Sequence, residues 1–99
     1  MERRSSVPYR VLLSELAARR LADLDEAALS EWRGIELTLT VIPYPQVRDR
    51  RIRRFRLADD AEVFLYAIPA FPFTIAYTID ESQRATTDGV VTIRAFLDR

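Results

Sequence analysis

Six arginines lie within nine consecutive residues, 48–56, and they are the side chains of this sequence best suited to chemistry. Within that segment a single carboxylate, Asp49, opposes them. The guanidinium group stays protonated in proteins, and its planar fork can hold a phosphate through two hydrogen bonds. Several such groups on one strand could bind consecutive phosphates, with an affinity that falls as salt rises. We therefore predict a surface that binds nucleic acid or an acidic partner. It is made of Arg48, Arg50, Arg51, Arg53, Arg54 and Arg56.

The same arginines have two simpler explanations. Charged side chains protect the edge strand of a sheet from pairing with other chains. The guanidinium groups could also pair with carboxylates of the same protein, since the whole chain has fifteen basic and fifteen acidic residues and a formal net charge of zero. The nucleic-acid interpretation therefore requires guanidinium groups that point the same way and are not neutralised internally.

Cleavage of RNA would need further groups, because a 2′-hydroxyl must lose a proton and a leaving oxygen must gain one. The chain has no histidine and no lysine, so tyrosines and carboxylates are the candidates: Tyr66, Tyr77, Glu62, Asp80 and Asp98. Spacing singles out none of them, and the two tyrosines also suit a hydrophobic core. Arginine would stabilise the charge that develops on the phosphate. The candidate catalytic set is Arg54, Arg94 and Tyr77, acting without a metal.

The composition excludes several other classes of site. With no cysteine there is no disulfide framework or thiolate metal site, and no spacing of carboxylates indicates an all-oxygen metal site or a bound cofactor. The start of the chain lacks the apolar segment of a signal peptide. The longest uncharged run, residues 63–79, contains two prolines and is too short for a membrane-spanning helix. These features predict a cytoplasmic protein without a membrane partner.

The elements that would position these groups fit one domain, residues 1–99. Residues 9–13 alternate as a first strand, and Ser14 is placed to cap a helix over residues 15–24. Asp25 is placed to cap a second helix, which should end before Pro43. The apolar residues expected to face the core are Leu16, Ala17, Leu21 and Leu24 in the first helix, and Ala28, Trp32, Ile35, Leu39 and Ile42 in the second.

After residue 45 the apolar period changes from 3.6 to 2. Strands are predicted at 51–57, 62–68, 73–80 and 90–97, with a polar loop over 81–89. In the first of these strands one face should carry Arg53, Phe55 and Leu57, and the other Ile52, Arg54 and Arg56. The predicted fold is α+β, in the order β-α-α-β-β-β-β. A two-helix hairpin packs on one face of a four- to five-stranded, mainly antiparallel sheet.

This order and several local patterns resemble the RelE/ParE superfamily of bacterial toxins from toxin-antitoxin systems. The resemblance includes the opening YRVLLS at 9–14, the alanine-rich first helix, the basic strand, FTIAYTIDE at 73–81 and VVTIR at 90–94. Two positions depart from the family pattern. Thr74 stands where members commonly carry arginine, and the ending RAFLDR at 94–99 lacks the histidine and tyrosine of many ribonuclease members.

The resemblance implies a growth-inhibiting toxin that a cognate antitoxin neutralises. Its target would be messenger RNA on the ribosome, cut as an endoribonuclease, or a gyrase-type protein. Because part of the usual ribonuclease set is missing, an alternative is a catalytically silent protein-interaction or nucleic-acid-binding module of the same fold. The sequence leaves the target, retention of activity and self-association into a homo-oligomer open.

Overall fold

The helices begin where their capping residues predict. A computed structural model describes residues 9–81 and 89–99, and within them α1 (Glu15–Ala22) and α2 (Glu26–Val41) follow the short strand β1 (Arg10–Leu13). The side chain of Ser14 accepts a hydrogen bond from the amide of Ala17, and that of Asp25 accepts one from Ala28. Each bond satisfies an amide that the helix itself leaves unpaired. The α2 helix ends at Val41, just before Pro43, as predicted.

Four more strands complete a five-stranded mixed sheet. They are β2 (Ile52–Arg56), β3 (Glu62–Tyr66), β4 (Phe73–Asp80) and β5 (Val90–Asp98), arranged in the order β1-β5-β4-β3-β2. The β1 strand runs parallel to β5, and the other three pairings are antiparallel. The α+β class and the element order are therefore confirmed. Most of the loop predicted at 81–89 lies outside the described residues.

Both helices cover the same face of the sheet, which we call the helix face. Trp32 of α2 packs edge-on against Phe96 of β5, with ring centres 5.4 Å apart. Burial of such aromatic and aliphatic groups is the main force that holds the helices on the sheet. The fully or nearly fully buried hydrophobic residues are Ala17, Trp32, Ile35, Leu39, Ile52, Phe64, Tyr66, Phe71, Ile75, Tyr77, Val91, Ile93 and Phe96.

Two residues predicted to be in the core are exposed instead. Leu16 is 59% exposed, because Ala17, its neighbour in the first turn of α1, occupies the position that faces the sheet. Ile42 is 46% exposed, because it leaves the helical conformation at the C-cap of α2, so the four-three spacing no longer applies to it. The other predicted core residues of the two helices are buried or partly buried in the core cluster.

A β-bulge interrupts the pairing of β4 and β5. The register shifts between Ala76 and Tyr77, so that β5 carries one additional residue, Arg94. Ile93 and Phe96 both remain buried on the helix face. Arg94 and Ala95 consequently both lie on the opposite face, which we call the open face because neither helix covers it.

In the described part of the chain, none of the helices is both long and apolar enough to cross a membrane.

Candidate nucleic-acid interface

The β2 strand divides the arginine cluster between the two faces of the sheet. Ile52 is buried on the helix face and pairs with Tyr66, so Arg54 and Arg56 project on that same side. Arg53 pairs with Leu65 and lies on the open face. The predicted alternation along this strand is therefore confirmed, and the six arginines do not form one continuous surface.

The two helix-face arginines share a carboxylate with their neighbouring strand. Oε2 of Glu62 lies 3.1 Å from a terminal nitrogen of Arg56 and 3.9 Å from Nε of Arg54. The guanidinium of Arg54 also lies over the ring of Phe64, 5.5 Å from its centre. These contacts partly neutralise the helix-face side of β2, which matches the internal-pairing explanation for these two residues.

Arg51 is also paired within the segment. Its Nε donates to both carboxylate oxygens of Asp49 at 2.8 and 2.9 Å, and its guanidinium lies 5.8 Å from the ring centre of Tyr66. These hydrogen bonds favour the ionised carboxylate and lower the pKa of Asp49 to about 2. Arg48 and Arg50 lie in the preceding loop and are exposed.

Arg53 and Arg94 share the open face and lie in one row across the sheet. Arg53 pairs with Leu65, Leu65 with Ala76, and Ala76 with the residue that follows Arg94. Three strand spacings separate β2 from β5, which places the two backbones about 14 Å apart. Nε of Arg94 donates to the hydroxyl of Thr78 at 3.1 Å. Arg94 therefore shares its face of the sheet with Arg53 and not with Arg54.

The rest of the open face combines exposed apolar and hydroxyl groups. Phe55 is 43% exposed, and the guanidinium of Arg53 lies 6.0 Å from its ring centre. By their register, Thr74, Thr78 and Thr92 line the middle of the face. Asp80 and Arg10 lie at one end of it, in one row across β4, β5 and β1, since both pair with Val90. Stacking aromatics, hydroxyls and arginines on a sheet surface are the groups that bind single-stranded nucleic acids.

Tyr77 is a core residue of the helix face. It is fully buried, stacks on Phe64 with ring centres 5.5 Å apart, and donates a hydrogen bond of 2.6 Å to the carbonyl of Pro43. Burial raises the pKa of Tyr77 far above its ordinary value, since the phenolate would be desolvated. Tyr66 is also buried, and desolvation raises its pKa. Tyr77, Arg54 and Arg94 are therefore not brought together.

The buried tyrosines predict a loss of stability in alkali. In the folded protein the pKa values of Tyr66 and Tyr77 are raised above the value of about 10 that tyrosine has in the unfolded chain. The contribution of this difference to the free energy of unfolding is therefore complete below pH about 10 and is lost as the pH rises above it. The absence of lysine leaves few other side chains that titrate in this range. Urea unfolding measured at increasing pH should show a falling free energy of unfolding above pH about 10. Tyr77→Phe should show a shallower fall, and equal slopes would contradict the assignment.

Sequence reasoning did not anticipate a cluster at the end of β4. The hydroxyls of Tyr9 and Tyr44 both donate to the carboxylate of Glu81, Tyr9 at 2.9 and 3.1 Å. Tyr44 also packs edge-on against Phe64, with ring centres 5.7 Å apart. The cluster ties the start of β1 and the proline loop to the end of β4. Its members are distant in sequence, and the position of Tyr44 between two prolines is the single local signal.

Among residues 9–81 and 89–99, no group of three or more histidine, cysteine or carboxylate side chains is placed to hold a metal ion. A scan of protein-family models finds no match to the chain. Searches of curated proteins and of solved structures likewise find no similar protein.

Proposed function

We propose that this chain is a RelE/ParE-type toxin that acts on messenger RNA through its open face, and that a cognate antitoxin neutralises it. The observation that carries the proposal is the row formed by Arg53 and Arg94, on a sheet face that both helices leave uncovered. The element order, with two helices between the first strand and a basic strand, also supports the proposal, because the resemblance to the RelE/ParE superfamily depends on that order. Ribosome-bound RNA is a substrate whose phosphates and unstacked bases suit this surface.

The open face also contains one of the acid-base candidates. Among the five candidates, Tyr66, Tyr77 and Glu62 lie on the helix face, and Asp98 pairs there with Arg20 at 3.0 Å. Asp80 lies on the open face, two residues along β4 from Thr78, about 7 Å away in backbone distance. In this proposal Asp80 accepts the proton of the 2′-hydroxyl, Arg94 stabilises the charge on the phosphate, and water protonates the leaving oxygen.

Induction of the gene alone in a bacterial host tests the proposal. Growth should stop and messenger RNA should be cleaved. Arg53→Ala and Arg94→Ala should each abolish arrest, because each removes a phosphate contact on the open face. Asp80→Asn should abolish cleavage while purified protein still binds single-stranded RNA. The matched control is Arg54→Ala, on the same strand but the opposite face, which should still arrest growth.

Other results would assign a different function. Unimpaired growth with soluble, folded protein would count against a toxin and favour the silent binding module. Arrest with intact messenger RNA and altered DNA supercoiling would indicate a gyrase-type target. The internal pairing of Arg51, Arg54 and Arg56 is the observation that favours these protein-binding alternatives, because it leaves fewer guanidinium groups for phosphates.

A further inference from the structure

A second surface of this protein, outside the open face, has the properties of a docking site. The last two turns of α2 and the start of β2 enclose a groove of about 340 Å³. Leu37 and Val41 line it from α2, one turn apart, and Ile42 and Ile52 complete its apolar wall. A volume in this range, roughly 300–1,000 Å³, is typical of sites that bind ligands.

The apolar side chains of this groove are unusually exposed. Leu37 is 68% exposed, Val41 is 59% exposed and Ile42, at the end of the helix, is 46% exposed. None of the three contributes to the core cluster. A contiguous group of exposed aliphatic residues beside polar ones marks an interaction surface more often than it serves the fold.

Charge around the groove selects the kind of occupant. A second depression of about 470 Å³ adjoins the groove and shares Gln46, Asp49 and Ile52 with it, and Arg50 and Arg53 line its far side. Because Asp49 is already bonded to Arg51, these two arginines face the depression without a carboxylate partner among the described residues. A second copy of this chain would bring like charges together, whereas an acidic segment would be attracted.

We propose that this groove binds an amphipathic helix of a partner protein. The aliphatic side chains of that helix contact Leu37 and Val41, and its carboxylates contact Arg50 and Arg53. Leu37 and Val41 form an i, i+4 ridge, which packs against the corresponding ridge of another helix. If the proposed toxin function holds, this helix belongs to the antitoxin, and its carboxylates reach the edge of the open face at Arg53. The docking surface itself does not depend on that function.

Binding by the purified full chain tests the inference. The probe is a labelled synthetic helical peptide with leucines on one face and glutamates on the other, followed by fluorescence anisotropy. We expect saturable binding that Leu37→Asp or Val41→Asp weakens by about tenfold or more. Arg50→Glu should weaken it most at low salt. Leu16→Asp is the matched control, since Leu16 is similarly exposed but lies on α1.

Several results would overturn it. Wild-type protein that fails to bind the peptide, or Leu37→Asp protein that binds equally well with an unchanged melting temperature, would remove the docking site. Equal binding of a peptide with lysines in place of glutamates would show that attraction between carboxylates and the two arginines does not contribute to binding. A dimer in sedimentation that Leu37→Asp abolishes would assign the groove to a second copy, and preferential binding to anionic vesicles would assign it to a membrane surface. None of these measurements depends on growth arrest or RNA cleavage.

Discussion

Replacing Tyr77 with alanine should lower the free energy of unfolding by roughly 3–5 kcal/mol. The side chain is fully buried and stacked on Phe64 in the centre of the helix face, so its removal leaves a cavity that the surrounding strands cannot fill. A domain of this size has a total stability of about 5–15 kcal/mol, and the variant should therefore be near the limit of folding at 37 °C. Urea unfolding followed by far-ultraviolet circular dichroism measures the loss.

Tyr77→Phe separates the structural role of this tyrosine from a catalytic one. It keeps the ring and removes the hydroxyl that donates to the carbonyl of Pro43, which is then left without this partner. The expected cost is about 1–3 kcal/mol, with RNA cleavage retained at temperatures where the variant is folded. Loss of cleavage at full stability would instead assign Tyr77 to the catalytic site.

Trp32→Ala should be comparably destabilising, by about 3–5 kcal/mol. Trp32 is 3% exposed and packs edge-on against Phe96, so it fixes the long helix α2 on β5. Since Trp32 is the sole tryptophan of the chain, circular dichroism is the suitable measurement. The transition should move to a lower denaturant concentration.

Leu37→Ala is the matched control for Trp32→Ala because both residues belong to α2. Leu37 is largely exposed, and its truncation should change the free energy of unfolding by no more than about 0.5 kcal/mol. A large loss from Leu37→Ala would show that its side chain serves the fold and would weaken the docking inference. A small loss from Trp32→Ala would mean that α2 is held by other contacts.

Features set by neighbouring residues could be predicted from the sequence. Ser14 and Asp25 start the helices because their side chains can accept from amides three residues later, and that requirement is purely local. The division of β2 into two faces follows from the period of two along any strand, once the burial of Ile52 sets the phase. The helix-to-strand order follows from the change in apolar periodicity.

Features set by pairing between distant segments could not be predicted. Phe96 is buried on the helix face, three residues after Ile93, because of a bulge opposite Ala76 and Tyr77, and alternation along β5 does not reveal an inserted residue. Arg94 and Arg54 lie on opposite faces because Arg54 is in register with the buried Ile93, the residue before Arg94, across the strands from β2 to β5. The contact of Tyr9 and Tyr44 with Glu81 joins three segments whose proximity exists only in the folded chain.

The parallel pairing of β1 with β5 has a consequence for synthesis of the protein on the ribosome. The strand that emerges early, Arg10–Leu13, pairs in the described structure with the strand that emerges after all the others, Val90–Asp98. The hairpins of β2, β3 and β4 can form during translation, whereas β1 must wait for β5 before its backbone groups find their partners. A nascent chain halted before Val90 should therefore expose β1 to chaperones and proteases.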